Sequence, residues 1–158
     1  MTHRFVPATR ELAGHLVVDA PIETAFPCFS PLGERAWVPG WDPELLGPPG
    51  ASWEQGQIFR TREATGDAIW IVTRLERAAH AVEYHRVEPG RYVARVRVEC
   101  RRVTDRQTEV RVSYVFLGLS SDGNADIAAM SAEAYAEKMA RWTRWIGDSL
   151  ARKGGTAV

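Results

Sequence analysis

The sequence predicts an α+β domain in which one long C-terminal helix lies on one face of an antiparallel sheet. Three observations carry this. Strand-like segments follow one another at close spacing from residue 57 to 119, one long amphipathic stretch comes after them, and the remaining helical signals are two short ones near the N-terminus. A parallel sheet would alternate strand and helix; segregated elements argue α+β. The chain has 158 residues, 45% hydrophobic and 25% charged. That is the size of one domain, expected to span 1–158 with a core at 10–152, and able to bury about 70% of its unfolded surface without a disulfide or structural metal.

The first strand is Arg10 to Asp19, where Leu12, Gly14, Leu16 and Val18 alternate with Ala13, His15, Val17 and Asp19. Pro21 opens a short amphipathic helix carrying Ile22, Ala25, Phe26 and Phe29, which Pro31 stops. Leu32 to Trp37 form a second helical turn. Residues 38 to 56 hold so many prolines and glycines, Pro39, Gly40, Pro43, Pro48 and Pro49 among them, that only a short strand at Glu44 to Leu46 fits. Strands then follow at Gln57 to Glu63, Ala68 to Arg77, Ala81 to Val87, Arg91 to Val103 and Thr108 to Leu119. Thr65-Gly66-Asp67, Ala78-Ala79-His80, Glu88-Pro89-Gly90 and Thr104 to Gln107 turn between them. The last two strands run about 12 residues, or ~40 Å. From the Ser120 to Asn124 start signal to about Arg152, Tyr135, Met139, Trp142, Ile146 and Ser149 repeat at helical spacing. About 27 helical residues also reach ~40 Å, so the helix is sized to lie along the hairpin. Ser131-Ala132-Glu133 is a second cap-like signal and marks a kink or break near residue 131. Gly154 to Val158 read as a frayed tail.

Twenty basic residues balance twenty acidic ones, which removes the cationic excess of a dedicated nucleic-acid binder. No apolar run approaches the ~18 residues that span a bilayer, and Met1 to Arg10 lacks a signal-peptide core. A cytoplasmic protein, with no nucleic-acid partner and no membrane insertion, is expected, as monomer or homodimer. Cys28 and Cys100 sit in no CxxC or Cys/His cluster and read as reduced, buried side chains. HExxH, GxSxG, P-loop and dinucleotide-binding patterns are all missing from the sequence, so no metal and no cofactor is expected.

The opening Leu16-Val-Val-Asp-Ala-Pro-Ile-Glu-Thr-Ala-Phe26, the Trp37-Val-Pro-Gly-Trp41 segment and the closing Thr108-Glu-Val-Arg-Val-Ser-Tyr114 before a terminal amphipathic helix carry a resemblance. Taken in this order, they resemble the START-like (SRPBCC) superfamily with its helix-grip fold, including the polyketide cyclase/dehydrase group. The resemblance covers residues 10 to 152. It implies a bent sheet gripping the long helix, with a cavity between them for an apolar or amphipathic small molecule. It implies no single reaction.

Alternation predicts which face is concave. Tyr92, Ala94, Val96, Val98, Cys100, Val110, Val112, Tyr114 and Phe116 share one face, and Arg95, Arg97, Glu99, Arg101, Glu109 and Arg111 share the other. Six arginines between Arg91 and Arg106 read as a solvated outer face with cross-strand pairs to Glu109. Six tryptophans supply rigid area with one polar N–H each, suited to a ligand wall or to core packing. Trp37 and Trp41 bracket a Pro-Gly turn at the expected rim, Trp70 lies on a strand before the long helix, and Trp142, on the helix stripe, serves core or cavity equally. Phe116 lies on the concave face, and Tyr84 and Tyr114 offer phenolic hydrogen bonds. The same parity points Arg86 inward, either as a ligand anchor or as the partner of Glu63 or Asp67, and turns His85 outward. The candidate ligand-binding set is Trp37, Trp41, Trp70, Tyr84, Arg86, Tyr114, Phe116 and Trp142.

Three functions compete. The first is binding of a small hydrophobic, amphipathic or lipid-like molecule, with Ala128, Ala129, Ala132, Ala134 and Ala136 leaving volume beneath the helix. The second, which the resemblance implies, is a polyketide cyclase, aromatase or dehydratase, with no catalytic residue assigned because no acid/base pair is evident. The third is a protein-interaction module exposing Trp-rich loops, which predicts an apolar surface patch and little internal cavity.

Overall fold

The computed structural model describes residues 3–47 and 53–154. Seven strands form one antiparallel sheet in the order β1-β7-β6-β5-β4-β3-β2. They are β1 (Thr9–Val18), β2 (Glu44–Gly47), β3 (Ile58–Glu63), β4 (Gly66–Glu76), β5 (Ala81–Glu88), β6 (Tyr92–Thr104) and β7 (Gln107–Gly118). Between β1 and β2 lie the short helix α1 (Ile22–Ala25) and two 3-10 turns, Phe26–Phe29 and Gly33–Ala36. After β7 come α2 (Ser121–Ala129) and the long α3 (Ala132–Gly154).

Every strand segment expected from the sequence is present with ends shifted by at most two residues, the largest shift being at β4, which takes Gly66 and Asp67 from the expected turn. The chain leaves β1 by the short helices and pairs β1 with β7, so the first and last strands are neighbours and Leu12 faces Tyr114 across the pair. Register shifts at Val72/Arg74 and Arg102/Thr104 bend the sheet, as inserted residues do. The alternation of β6 and β7 falls as predicted: Ala94, Val96, Val98, Cys100, Val110, Val112, Tyr114 and Phe116 are buried under the helices. The opposite face carries exposed pairs such as Arg101–Glu109 at 3.1 Å and His15–Glu109 at 3.5 Å.

The C-terminal helix is broken where the second cap signal stands. Met130 is extended (φ −75°, ψ 133°), and Ser131 Oγ accepts a hydrogen bond from the Ala134 amide at 3.0 Å, which starts α3 afresh. α2 is held separately. The Arg91 guanidinium grips Asp126 through two bonds of 2.6 and 2.7 Å, and Asn124 Oδ1 accepts from the Ala8 amide at 2.8 Å. α3 crosses β1 closely because Gly14 has no side chain: a Cβ there would lie 2.9 Å from Met139 Cγ and 3.1 Å from Tyr135 Cε1. The same gap lets Tyr135 Oη donate to the Val112 carbonyl at 2.6 Å.

Three expectations need correction. The alanines proposed to leave volume beneath the helix, Ala128, Ala129, Ala132, Ala134 and Ala136, are all exposed, and only Ala134 edges the cavity. The helical stripe Tyr135, Met139 and Ile146 takes the inward positions instead. Cys28 is half-buried rather than buried, and both cysteines are free. α3 continues to Gly154, past the expected end near Arg152. Of the expected tail and breaker run, residues 155–158 and 48–52 lie outside the described residues.

Candidate functional site

Between the concave face and α3 lies a cavity of about 510 Å³. Its sheet wall is Phe59 of β3, Trp70 of β4, Tyr84 and Arg86 of β5, Tyr92, Val96 and Val98 of β6, and Tyr114 and Phe116 of β7. Tyr135, Lys138, Arg141 and Trp142 of α3 form the roof, and Glu34, Val38 and Trp41 close the side that faces the 3-10 turns. The aromatic rings are mutually braced. Phe59 stacks on Trp70 at 5.5 Å with an interplanar angle of 10°, Tyr114 on Phe116 at 5.5 Å and 12°, and Trp41 meets Trp70 edge-on at 5.7 Å. Trp70 Nε1 donates to Thr61 Oγ1 at 2.9 Å and Trp41 Nε1 to the Pro31 carbonyl at 2.7 Å, so these rings are held by their polar edges as well as by packing.

Tyr84 and Arg86 point inward, and His85 points out to Thr73 Oγ1 at 3.0 Å. Tyr84 and Arg86 are already engaged. Tyr84 Oη donates to the buried Phe29 carbonyl at 2.7 Å, so its proton is spent inside the protein. The Arg86 guanidinium donates to Tyr92 Oη at 2.7 Å, pairs with Glu63 at 3.2 Å and Glu88 at 3.6 Å, and lies 5.4 Å from the ring centres of Trp70 and Tyr92. Glu63 is one of the two partners weighed for it; Asp67 turns to Arg60 instead.

Of the eight candidate residues, Trp41, Trp70, Tyr84, Arg86, Tyr114, Phe116 and Trp142 line this one cavity. Trp37 does not. It is 5% exposed, its Nε1 donates to the Cys28 carbonyl at 2.8 Å, and its ring is wedged between Phe29 and Trp142 at 5.8 and 5.3 Å. It supports Trp142 from behind. Tyr84, Arg86 and His85 therefore cannot act as one acid/base set, because His85 sits on the opposite face.

Of the polar residues facing the cavity that the sequence reading passed over, Glu34 and Lys138 have strongly shifted ionisations. Glu34 is carried in by the turn Gly33–Ala36, whose geometry depends on Gly33: a Cβ there would lie 2.1 Å from the Pro27 carbonyl oxygen. Burial, opposed by Lys138, pushes the Glu34 carboxyl up to about 8. Lys138 Nζ stands 3.3 Å from Tyr114 Oη, 4.5 Å from the Tyr114 ring centre and 5.0 Å from that of Trp142. Burial, reinforced by the Arg86 charge and opposed by Glu34, pushes its ammonium down to about 8. Burial also raises the Tyr114 phenol above its ordinary value, so it stays protonated. Glu34 hid in a stretch that reads as an ordinary turn. Lys138 was legible: it lies three residues after Tyr135 and four before Trp142, on the inward stripe.

Among the described residues no cluster of three or more His, Cys, Asp or Glu could hold a metal, and no helix is long and apolar enough to cross a membrane. No tryptophan is exposed; all six turn their rings into the protein.

No protein-family profile matches the chain, and no curated protein matches it by sequence. Solved structures do match in fold. Norcoclaurine synthase from Thalictrum flavum in complex with dopamine and hydroxybenzaldehyde superposes with a TM-score of 0.67 at 11% identity, covering 96% of this chain and 95% of that one. The Zhui aromatase/cyclase from Streptomyces sp. R1128 gives 0.64 at 17% identity, over 92% and 96%. Ara h 8.0201 gives 0.62 at 11% identity, over 91% and 99%. The chain has the helix-grip fold that these proteins share.

Proposed function

We propose that this protein binds a small amphipathic molecule with an aromatic body between the curved sheet and α3, its oxygen-bearing end directed to Glu34, Arg86 and Lys138. The observation that carries this reading is the cavity of about 510 Å³ with braced aromatic walls and its charged groups gathered among Glu34, Glu63, Arg86, Lys138 and Arg141. Small-molecule sites occupy roughly 300–1,000 Å³, are largely apolar and carry a few convergent polar groups. The neighbours support it: one holds dopamine and hydroxybenzaldehyde, and another is an aromatase/cyclase. The interaction-module reading is less favoured, since no tryptophan is exposed and a cavity lies between the sheet and α3.

Trp41, Trp70 and Trp142 line the wall, so intrinsic fluorescence reports occupancy without a label. Titration with 2-naphthoate should quench it saturably, with naphthalene binding about tenfold more weakly because it makes no charge-assisted hydrogen bond. Linear, unsaturating quenching by both compounds would contradict the proposal. A second reading, cyclisation or dehydration of a bound carbonyl compound, is favoured by one observation, the presence of Glu34 and Lys138 in the same cavity.

A further inference from the structure

The chain has eighteen arginines and two lysines, Lys138 and Lys153. One of these rare amines projects into the cavity, beneath Trp142 and beside Tyr114. A cation over aromatic rings does not call for lysine. Arg86 makes that contact with Trp70 and Tyr92 in the same cavity, and guanidinium stacks on rings at least as well. What an amine can do and a guanidinium cannot is lose its proton near neutral pH and become a nucleophile.

We infer that Lys138 captures the carbonyl group of an aldehyde or ketone held in the cavity as a reversible imine, with Glu34 giving and taking the proton and Tyr114 polarising the carbonyl. The inference rests on the ligand-binding reading above. Among the described residues, Lys138 Nζ has Tyr114 Oη, at 3.3 Å, as its one hydrogen-bond partner and is ion-paired with no carboxylate. Its lone pair is open to the cavity once the proton has left. Glu63 is committed to Arg86 and Thr61, whereas the Glu34 carboxyl, on the same cavity, forms no ion pair among the described residues. Burial brings both Lys138 and Glu34 to about 8, so neutral amine and protonated acid coexist there.

In the step itself the neutral Nζ attacks the carbonyl carbon. A C–N bond forms, the C=O π pair moves to oxygen under the Tyr114 hydroxyl, and proton transfer from nitrogen to oxygen leaves a carbinolamine. Glu34 then protonates the carbinolamine hydroxyl, which departs as water while the nitrogen lone pair forms the C=N bond. The products are a protonated imine, one water and the Glu34 carboxylate; nothing is oxidised or reduced, and water reverses the sequence. The cation so formed lies where the Lys138 ammonium does, against the Tyr114 and Trp142 rings.

The test uses 2-naphthaldehyde with sodium cyanoborohydride near pH 8, followed by intact-mass measurement and peptide mapping, with 2-naphthylmethanol as the competitor lacking a carbonyl. The expected result is a single adduct, the mass of the aldehyde less one oxygen atom, on Lys138. It should be suppressed by excess 2-naphthylmethanol, absent in Lys138→Arg, and formed about tenfold or more slowly in Glu34→Gln. Lys138→Arg keeps the charge over the rings, and its circular dichroism should match that of the parent. Adducts shared with Lys153 or the terminal amine and unaffected by the alcohol would overturn the inference. So would saturable fluorescence quenching by both naphthyl compounds without any adduct, which leaves the binding reading intact. Absence of saturable quenching by either compound overturns both. Undiminished labelling of Glu34→Gln at Lys138 removes Glu34 from the step.

Discussion

Arg86 is the most heavily committed side chain of the cavity. Its guanidinium neutralises Glu63 and also Glu88, whose side chain is 5% exposed, while bonding to Tyr92. Replacing it with leucine leaves two carboxylates without their cation. Removing one partner from a buried pair costs about 3 kcal/mol or more, because the remaining charge must still be desolvated. Arg86→Leu should lower the unfolding free energy measured in urea by about that amount, and adding Glu88→Gln should restore part of it; an unchanged unfolding free energy would show that these ions are effectively solvated.

Glu34 and Lys138 give stability an unusual pH profile. Folded Glu34 keeps its proton up to about 8, against an ordinary value of 4.5, so between these the folded chain binds the extra proton and stability falls as pH rises. Lys138 titrates at about 8 when folded and at 10.5 ordinarily, so between those the unfolded chain binds the extra proton and stability rises with pH. Unfolding free energy measured against pH should therefore dip near pH 8. Glu34→Gln should remove the fall on the acid side, and Lys138→Met the rise on the alkaline side. A profile parallel to that of both variants would refute these ionisations.

At the scale of elements, the contact between α3 and β1 is decided by Gly14. Valine there would drive its methyl groups into Met139 and Tyr135, and the hydrogen bond from Tyr135 to the Val112 carbonyl is made across the same gap. Overpacking of this kind costs roughly 1–3 kcal/mol. Gly14→Val should show that loss by thermal or urea unfolding, and Met139→Ala in the same chain should recover part of it. No loss would mean that α3 sits farther from β1 than described. The break between α2 and α3 belongs to the same scale. Its signal, Ser131-Ala132-Glu133, is local capping chemistry and could be read from sequence, whereas the outward turn of the neighbouring alanines depends on which face of the helix meets the sheet.

For the molecule as a whole, the fold was legible because β6, as far as Cys100, and β7 alternate without interruption and their turns are short, so one parity assignment placed nine side chains on the concave face. The cavity wall followed from it: Tyr114 and Phe116 directly, and Tyr84 and Arg86 by carrying the parity across a turn. Trp37 and Glu34 were not legible. Each is placed by a bond or close approach within the 3-10 segment, Trp37 Nε1 to the Cys28 carbonyl and Gly33 against the Pro27 carbonyl, and no periodicity encodes such contacts. A guest that binds only the folded form must stabilise the whole domain. At a hundred times its dissociation constant, 2-naphthoate should add about 2.7 kcal/mol and raise Tm on the order of 5–10 °C; no shift at saturation would count against a preformed cavity.

The missing side chain at position 14 also sets where this architecture can evolve. With the rod pinned to the first ribbon there, the hollow cannot be widened on that flank without unseating the terminal helix. Room for a larger or smaller guest has to come from the far flank, at Trp41, Phe59 and Trp70, where exchanging a ring changes the available space and leaves the helix anchorage untouched. Natural variation in guest size among chains of this kind should therefore concentrate at those three positions and spare the glycine.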